Sequence, residues 1–141
     1  MRRRFVIGIV VAMVVVAGYA YWYASTPRTG TRVQLPTSTL VSIDIAVLEQ
    51  PLATITNREQ LASVMEMLRS GRSVKQHECK SRGSMDLRFA DGQILRMSFL
   101  PGHHFLHYEF ATRGGWFAVS RSRFMNTLKA AGVDVQQIPT G

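Results

Sequence analysis

All four histidines and the single cysteine fall between positions 77 and 107: His77, Cys79, His103, His104 and His107. Imidazole and thiolate are the ligand types that suit zinc or copper. On a strand, His77 and Cys79 share one face about 6.6 Å apart, so a neighbouring ligand would complete a chelate. The other spacings oppose it. His103 and His107 on one strand lie about 13 Å apart, and a plain meander puts the His77 strand about 14 Å from them. A zinc or copper module is therefore the second reading, and no resident cofactor is expected.

Catalytic chemistry finds less support. Cys79 in mid-strand would be a buried, inert thiol, packed opposite Met85 in one register. Ser84, Ser98 and Ser120 sit in no nucleophile elbow, and Gly114-Gly115 is too short to cradle phosphate. The nine acidic residues form no paired-carboxylate motif. The chain is expected not to be an enzyme.

Charge points to binding. Lys and Arg number 17 against 9 Asp and Glu, a formal net charge of +8. The candidate partner- or anion-binding residues are Arg69, Arg72, Lys75, Arg88 and Arg96, joined by Phe105 and His107. His103, Phe105 and His107 would share a mixed face with Arg96 and Glu109. Phe105 has no core role there, which suggests docking.

Phe5 to Ala24 contains only apolar residues and glycine. As a helix at about 1.5 Å per residue it spans about 30 Å, the thickness of a bilayer core. Arg2, Arg3 and Arg4 precede it, and Tyr21, Trp22 and Tyr23 close it as an interfacial belt. These features predict a single-pass anchor in the inner membrane, with a cytoplasmic N-terminus and a periplasmic domain. The competing reading is a cleaved signal peptide, with Gly18 and Ala20 as small residues before the cut. The expected partners are the lipid bilayer and other subunits of a membrane complex, not nucleic acid. The leading functional expectation is a membrane-anchored accessory subunit, non-enzymatic, docking through its basic domain. The alternatives are the metal module and a binder of anionic lipid or polymer.

The remaining elements must position these side chains. Residues 25–38 are rich in Pro, Gly and Thr and read as a tether. Val41, Ile43, Ile45 and Val47 alternate with polar or small residues as a half-buried strand does. Asn57 opens a helix carrying Leu61, Val64, Met65 and Leu68, and Gly71 stands at its C′ position. Strands are expected at 73–80, 85–90, 93–100, 104–110 and 116–119. Asp91-Gly92 suggests a tight turn pairing Phe89 with Leu95, Leu87 with Met97 and Met85 with Phe99. Across Pro101-Gly102, Met97 would face Leu106. Ser120 caps a last helix with Phe124, Leu128 and Ala131 on one face, ending at Gly132.

The predicted class is α+β. A transmembrane helix within residues 1–24 precedes a tether at 25–38 and a domain at 39–132, with a tail at 133–141. The domain is a small antiparallel sheet of five to six strands in β-α-β-β-β-β-α order, with both helices on one face.

Overall fold

Alternation of apolar and polar side chains selects most of the strands, and the computed structural model describes residues 11–21, 30–76, 78–102 and 106–140. Helix α1 covers residues 11–21. Strand β1 (Leu40–Val47) turns into β2 (Gln50–Ile55), and α2 follows over Arg58–Arg69. Strands β3 (Arg72–Val74), β4 (Gly83–Phe89), β5 (Ile94–Pro101), β6 (His107–Thr112) and β7 (Gly115–Ser120) lead into α3 (Arg121–Ala130). A short 3-10 turn, Val135–Gln137, closes the chain.

The expected membrane span does not appear. The part of helix α1 that the structure describes is residues 11–21. No helix among the described residues is long and apolar enough to cross a membrane. Phe5–Val10 and Trp22–Ala24, the flanks of the expected span, lie outside the described residues, as do Arg2, Arg3 and Arg4; Tyr21 is the last described residue of α1. The inner-membrane placement and single-pass topology are corrected with it.

The sheet also departs from expectation. It has seven antiparallel strands in the order β2-β1-β4-β5-β6-β7-β3. The predicted strand at 73–80 shrinks to Arg72–Val74 and pairs with β7 at the far edge, not with β4. Residues 75–82 are nearly all polar or charged, so they offer no apolar row to bury against the helices. Residues 50–55 form a full edge strand beside β1.

Helices α2 and α3 cover one face, and the core lies between them and the sheet. Ile43, Ile45, Met85, Leu87, Met97, Phe99, Tyr108, Phe110 and Val119 point into it from the strands. Leu61, Val64, Leu68, Phe124 and Leu128 meet them from the helices. Phe124 sits among three rings, with centroids 4.4 Å from Tyr108, 5.4 Å from Phe110 and 5.5 Å from Phe99.

The observed registers differ from the predicted ones by even numbers. Met85 faces Met97 and Leu87 faces Leu95, two residues from the expected pairing. Phe99 faces Phe110 because β5 runs to Pro101 and β6 begins only at His107. An even shift leaves every side chain on its predicted face, whereas an odd shift would have exposed the core. The 89–93 turn is set by Gly92 at φ +83°, with Gly92 N–H donating to Phe89 O and Phe89 N–H to Gln93 O.

Helix α2 begins as predicted, with the Asn57 side chain accepting from Glu59 N (3.0 Å) and Gln60 N (3.2 Å). Gly71 stands at C′ as expected, directly after the C-cap Ser70, but not for a left-handed turn. Its φ is not left-handed; a Cβ there would lie 2.5 Å from the Phe117 ring, so glycine is required for close packing. Residues 30–38 of the segment read as tether lie against the sheet. Val33 and Leu35 pack on the core, Ser73 N–H donates to Thr31 O (2.9 Å), and Val33 N–H donates to Gly71 O (3.3 Å).

Candidate functional site

The face turned away from the helices carries most of the polar side chains of the strands, and it contains two kinds of arginine. At the centre, Arg88 on β4 donates from Nε to Asp44 on β1 at 2.9 Å. Arg96 on β5 grips Asp86 on β4 through two bonds of 2.8 and 2.7 Å. The register makes both pairs diagonal or direct neighbours across adjacent strands. The Arg88 bond, then the Thr54 hydroxyl, holds the Asp44 carboxyl below its ordinary value. The Arg96 bond does the same for Asp86. Both carboxylates remain ionised and paired near neutral pH, which removes them as general acids.

At the β3 edge the arrangement differs. Arg32 forms an antiparallel bridge opposite Arg72. The flanking bonds, Ser73 N–H to Thr31 O and Val33 N–H to Gly71 O, make this a non-hydrogen-bonded pair, whose Cα atoms stand about 4.5 Å apart with side chains on one face. Arg72 in turn faces Ala118 on β7, which faces Glu109 on β6, so both guanidinium groups belong to the helix-free face. Among the described residues no carboxylate lies within ion-pair distance of either one. Like charges directly opposite each other destabilise a strand pair.

Beside this pair a hollow of about 600 Å³ opens between residues 31–34, the end of β3 and the β6–β7 turn; Arg32, Gln34, Val74, Thr112 and Trp116 line it. A second hollow of about 560 Å³ adjoins it at Thr112 and extends over Ile94, Arg96, Ser98 and Arg113. Both are of the size that ligand clefts take.

The predicted site residues are distributed unevenly. Arg72 stands in this corner, and Lys75 follows β3 as an exposed residue. Arg69 is exposed at the end of α2. Arg88 and Arg96 are on the helix-free face but neutralised. His107 is half-buried on β6, and Phe105 lies outside the described residues. His77, His103 and His104 also lie outside them. Cys79 is an exposed free thiol in an irregular segment, not a buried mid-strand residue. No group of three His, Cys, Asp or Glu able to hold a metal occurs among the described residues, and the displacement of β3 to the far edge removes the strand that was to present His77 and Cys79.

Sequence reasoning missed Arg32, although Thr31-Arg32-Val33-Gln34-Leu35 alternates polar and apolar residues. That period was masked by the neighbouring prolines and glycine. Burial raises the Tyr108 hydroxyl above its ordinary value; it donates to Pro139 O and so ties down the C-terminal residues.

No protein-family model matches the chain, and no curated protein matches it. Among solved structures, the chain is similar to a thioesterase-like protein from Clostridium sporogenes ATCC 15579. The identity is 15% and the TM-score 0.44, over 74% of this chain and 100% of that chain. The expected membrane-anchored accessory subunit is overturned by the lack of any membrane-crossing helix among the described residues.

Proposed function

We propose that this domain is a ligand-binding module and not a catalyst, and that its ligand presents a carboxylate or phosphate group to Arg32 and Arg72. The observation that carries this reading is the unneutralised cross-strand arginine pair beside an open hollow. On the same sheet face, Asp44 and Asp86 neutralise their arginines through bonds of 2.7–2.9 Å. A planar guanidinium offers donors in a fixed fork that matches a carboxylate or phosphate edge. A bound anion would replace the repulsion of the pair with two attractions.

The test is calorimetric titration of the full chain with succinate and with inorganic phosphate at low ionic strength. Saturable binding that weakens at least about tenfold in Arg32→Ala and in Arg72→Gln supports the reading, a loss of about 1.4 kcal/mol or more. Arg88→Ala, which breaks a neutralised pair, should bind like the parent. Absence of saturable binding in the parent, or equal binding by the double variant Arg32→Ala/Arg72→Gln, overturns it.

A further inference from the structure

We infer that the anion held by Arg32 and Arg72 is the carboxylate of an aromatic acid, whose ring lies in the hollow of about 600 Å³ against Trp116 and Val74. This rests on the anion-binding reading above and names the class of its ligand. Register puts the two apolar side chains together. Val74 on β3 faces Trp116 on β7, and Arg72 faces Ala118 two positions back along the same strand. All four share one face, with the apolar pair about 6.6 Å along the strand from Arg72. A carboxylate joined to a ring covers that distance. Val74 and Trp116 are both half-buried, so each leaves part of its apolar surface at the hollow.

The polar lining favours a ligand with one charged end and an apolar body. The hydroxyls of Thr31, Ser73 and Thr112 line the hollow but are engaged within the chain. Ser73 Oγ accepts from Thr31 N–H (3.0 Å) and from Thr31 Oγ1 (3.2 Å), and Thr112 Oγ1 donates to Gly115 O (3.0 Å). Among the described residues, the lining side-chain groups with no bond inside the chain are the Arg32 guanidinium and the Gln34 amide. A sugar would bring several hydroxyls that lose water here without gaining partners. A ring bearing one carboxylate brings none. Gly114 and Gly115 add no side chains at the β6–β7 turn, and a Cβ at Gly115 would meet nothing within 4 Å, so the turn leaves that side of the hollow open. A ring also gains an offset or edge contact with the indole, which an alkyl chain cannot match.

The experiment titrates the full chain at low ionic strength with succinate, 2-naphthoate, the neutral 2-naphthol and octanoate. Naphthoate is expected to bind at least about tenfold more tightly than succinate, although it carries one carboxylate fewer. Naphthol and octanoate should each bind at least about threefold more weakly than naphthoate. The ratio of naphthoate to succinate affinity should fall at least about threefold in Trp116→Ala and in Val74→Thr. Val74→Thr keeps a β-branched side chain of similar size, so the strand is retained while the ring contact becomes polar. Naphthoate no tighter than succinate, or an unchanged ratio in both variants, overturns this inference and leaves the anion site standing. Octanoate as tight as naphthoate also overturns it, because an apolar tail would then suffice. Naphthol as tight as naphthoate does the same, since the carboxylate would add nothing. Binding of neither succinate nor naphthoate removes both readings.

Discussion

On the helix-covered face of the sheet, Phe99, Tyr108 and Phe110 are fully buried and meet the ring of Phe124. On the other face the sheet carries Asp44, Asp86, Arg88 and Arg96, with Arg32 and Arg72 at the edge. One face gains its free energy by removing apolar area from water, and the other is close to neutral for stability. What the second face can do depends on which charges are already satisfied. Four arginines look alike in composition, yet two are neutralised by designated carboxylates and two are held against each other.

The largest expected effect lies on the packed face. Phe124→Ala should destabilise the domain by about 3–5 kcal/mol in chemical denaturation, because the ring fills a site closed on all sides. A loss below about 1 kcal/mol would mean the aromatic cluster is not the core. Gly71→Ala should cost about 1–3 kcal/mol, since the added methyl meets the Phe117 ring, which is itself stacked on Phe110 at a 5.0 Å centroid separation. A neutral outcome would show that the β3 edge can shift away from α2.

Effects on the polar face are smaller and separate its two kinds of arginine. Arg88→Ala should cost about 0.2–1 kcal/mol, the usual worth of an exposed ion pair. Arg32→Ala should lie within about 0.5 kcal/mol of the parent, on the stabilising side, because it removes a like-charge neighbour. A clear destabilisation by Arg32→Ala would mean its guanidinium has a structural partner. It would also dissolve the contrast between centre and edge.

Acid should weaken the centre first. Folding lowers the Asp44 and Asp86 carboxyls below their unfolded values. Their contribution is therefore fully present above the unfolded carboxylate value near pH 4 and is lost as pH falls through the lower folded values. Thermal unfolding from pH 6 to pH 2 should show a drop in this range that shrinks in Asp44→Asn. An identical pH profile in that variant would contradict the assignment.

Much of the fold was legible because strand faces follow from alternation. Met85, Leu87, Met97 and Phe99 were placed on the correct face although their partners were displaced by two residues. Alternation fixes parity, while loop length fixes register, and the 102–106 connection gives no periodic signal. The edge position of β3 was hidden for a different reason. Sequential strands are usually neighbours, but here α2 and the polar segment 75–82 carry the chain across the whole sheet. The helix at residues 11–21 is where composition misled most, because apolar residues alone do not establish a membrane span.

The candidate site was half visible. Arg72 was singled out within a basic stretch, but its cross-strand neighbour Arg32 lay in a segment read as a tether. Pairing between residues 42 positions apart or nearly so, such as Thr31 N–H to Ser73 Oγ at 3.0 Å, leaves no local trace. Neither does the neutralisation of Arg88 and Arg96, which depends on strand order.

The central claim is that the edge arginines are available to an anion and the central ones are not. Succinate titration of the parent, Arg88→Ala and the double variant Arg32→Ala/Arg72→Gln tests it most directly. The account predicts equal affinity for the first two and loss of binding in the third. Weakened binding in Arg88→Ala with the double variant unaffected would contradict it.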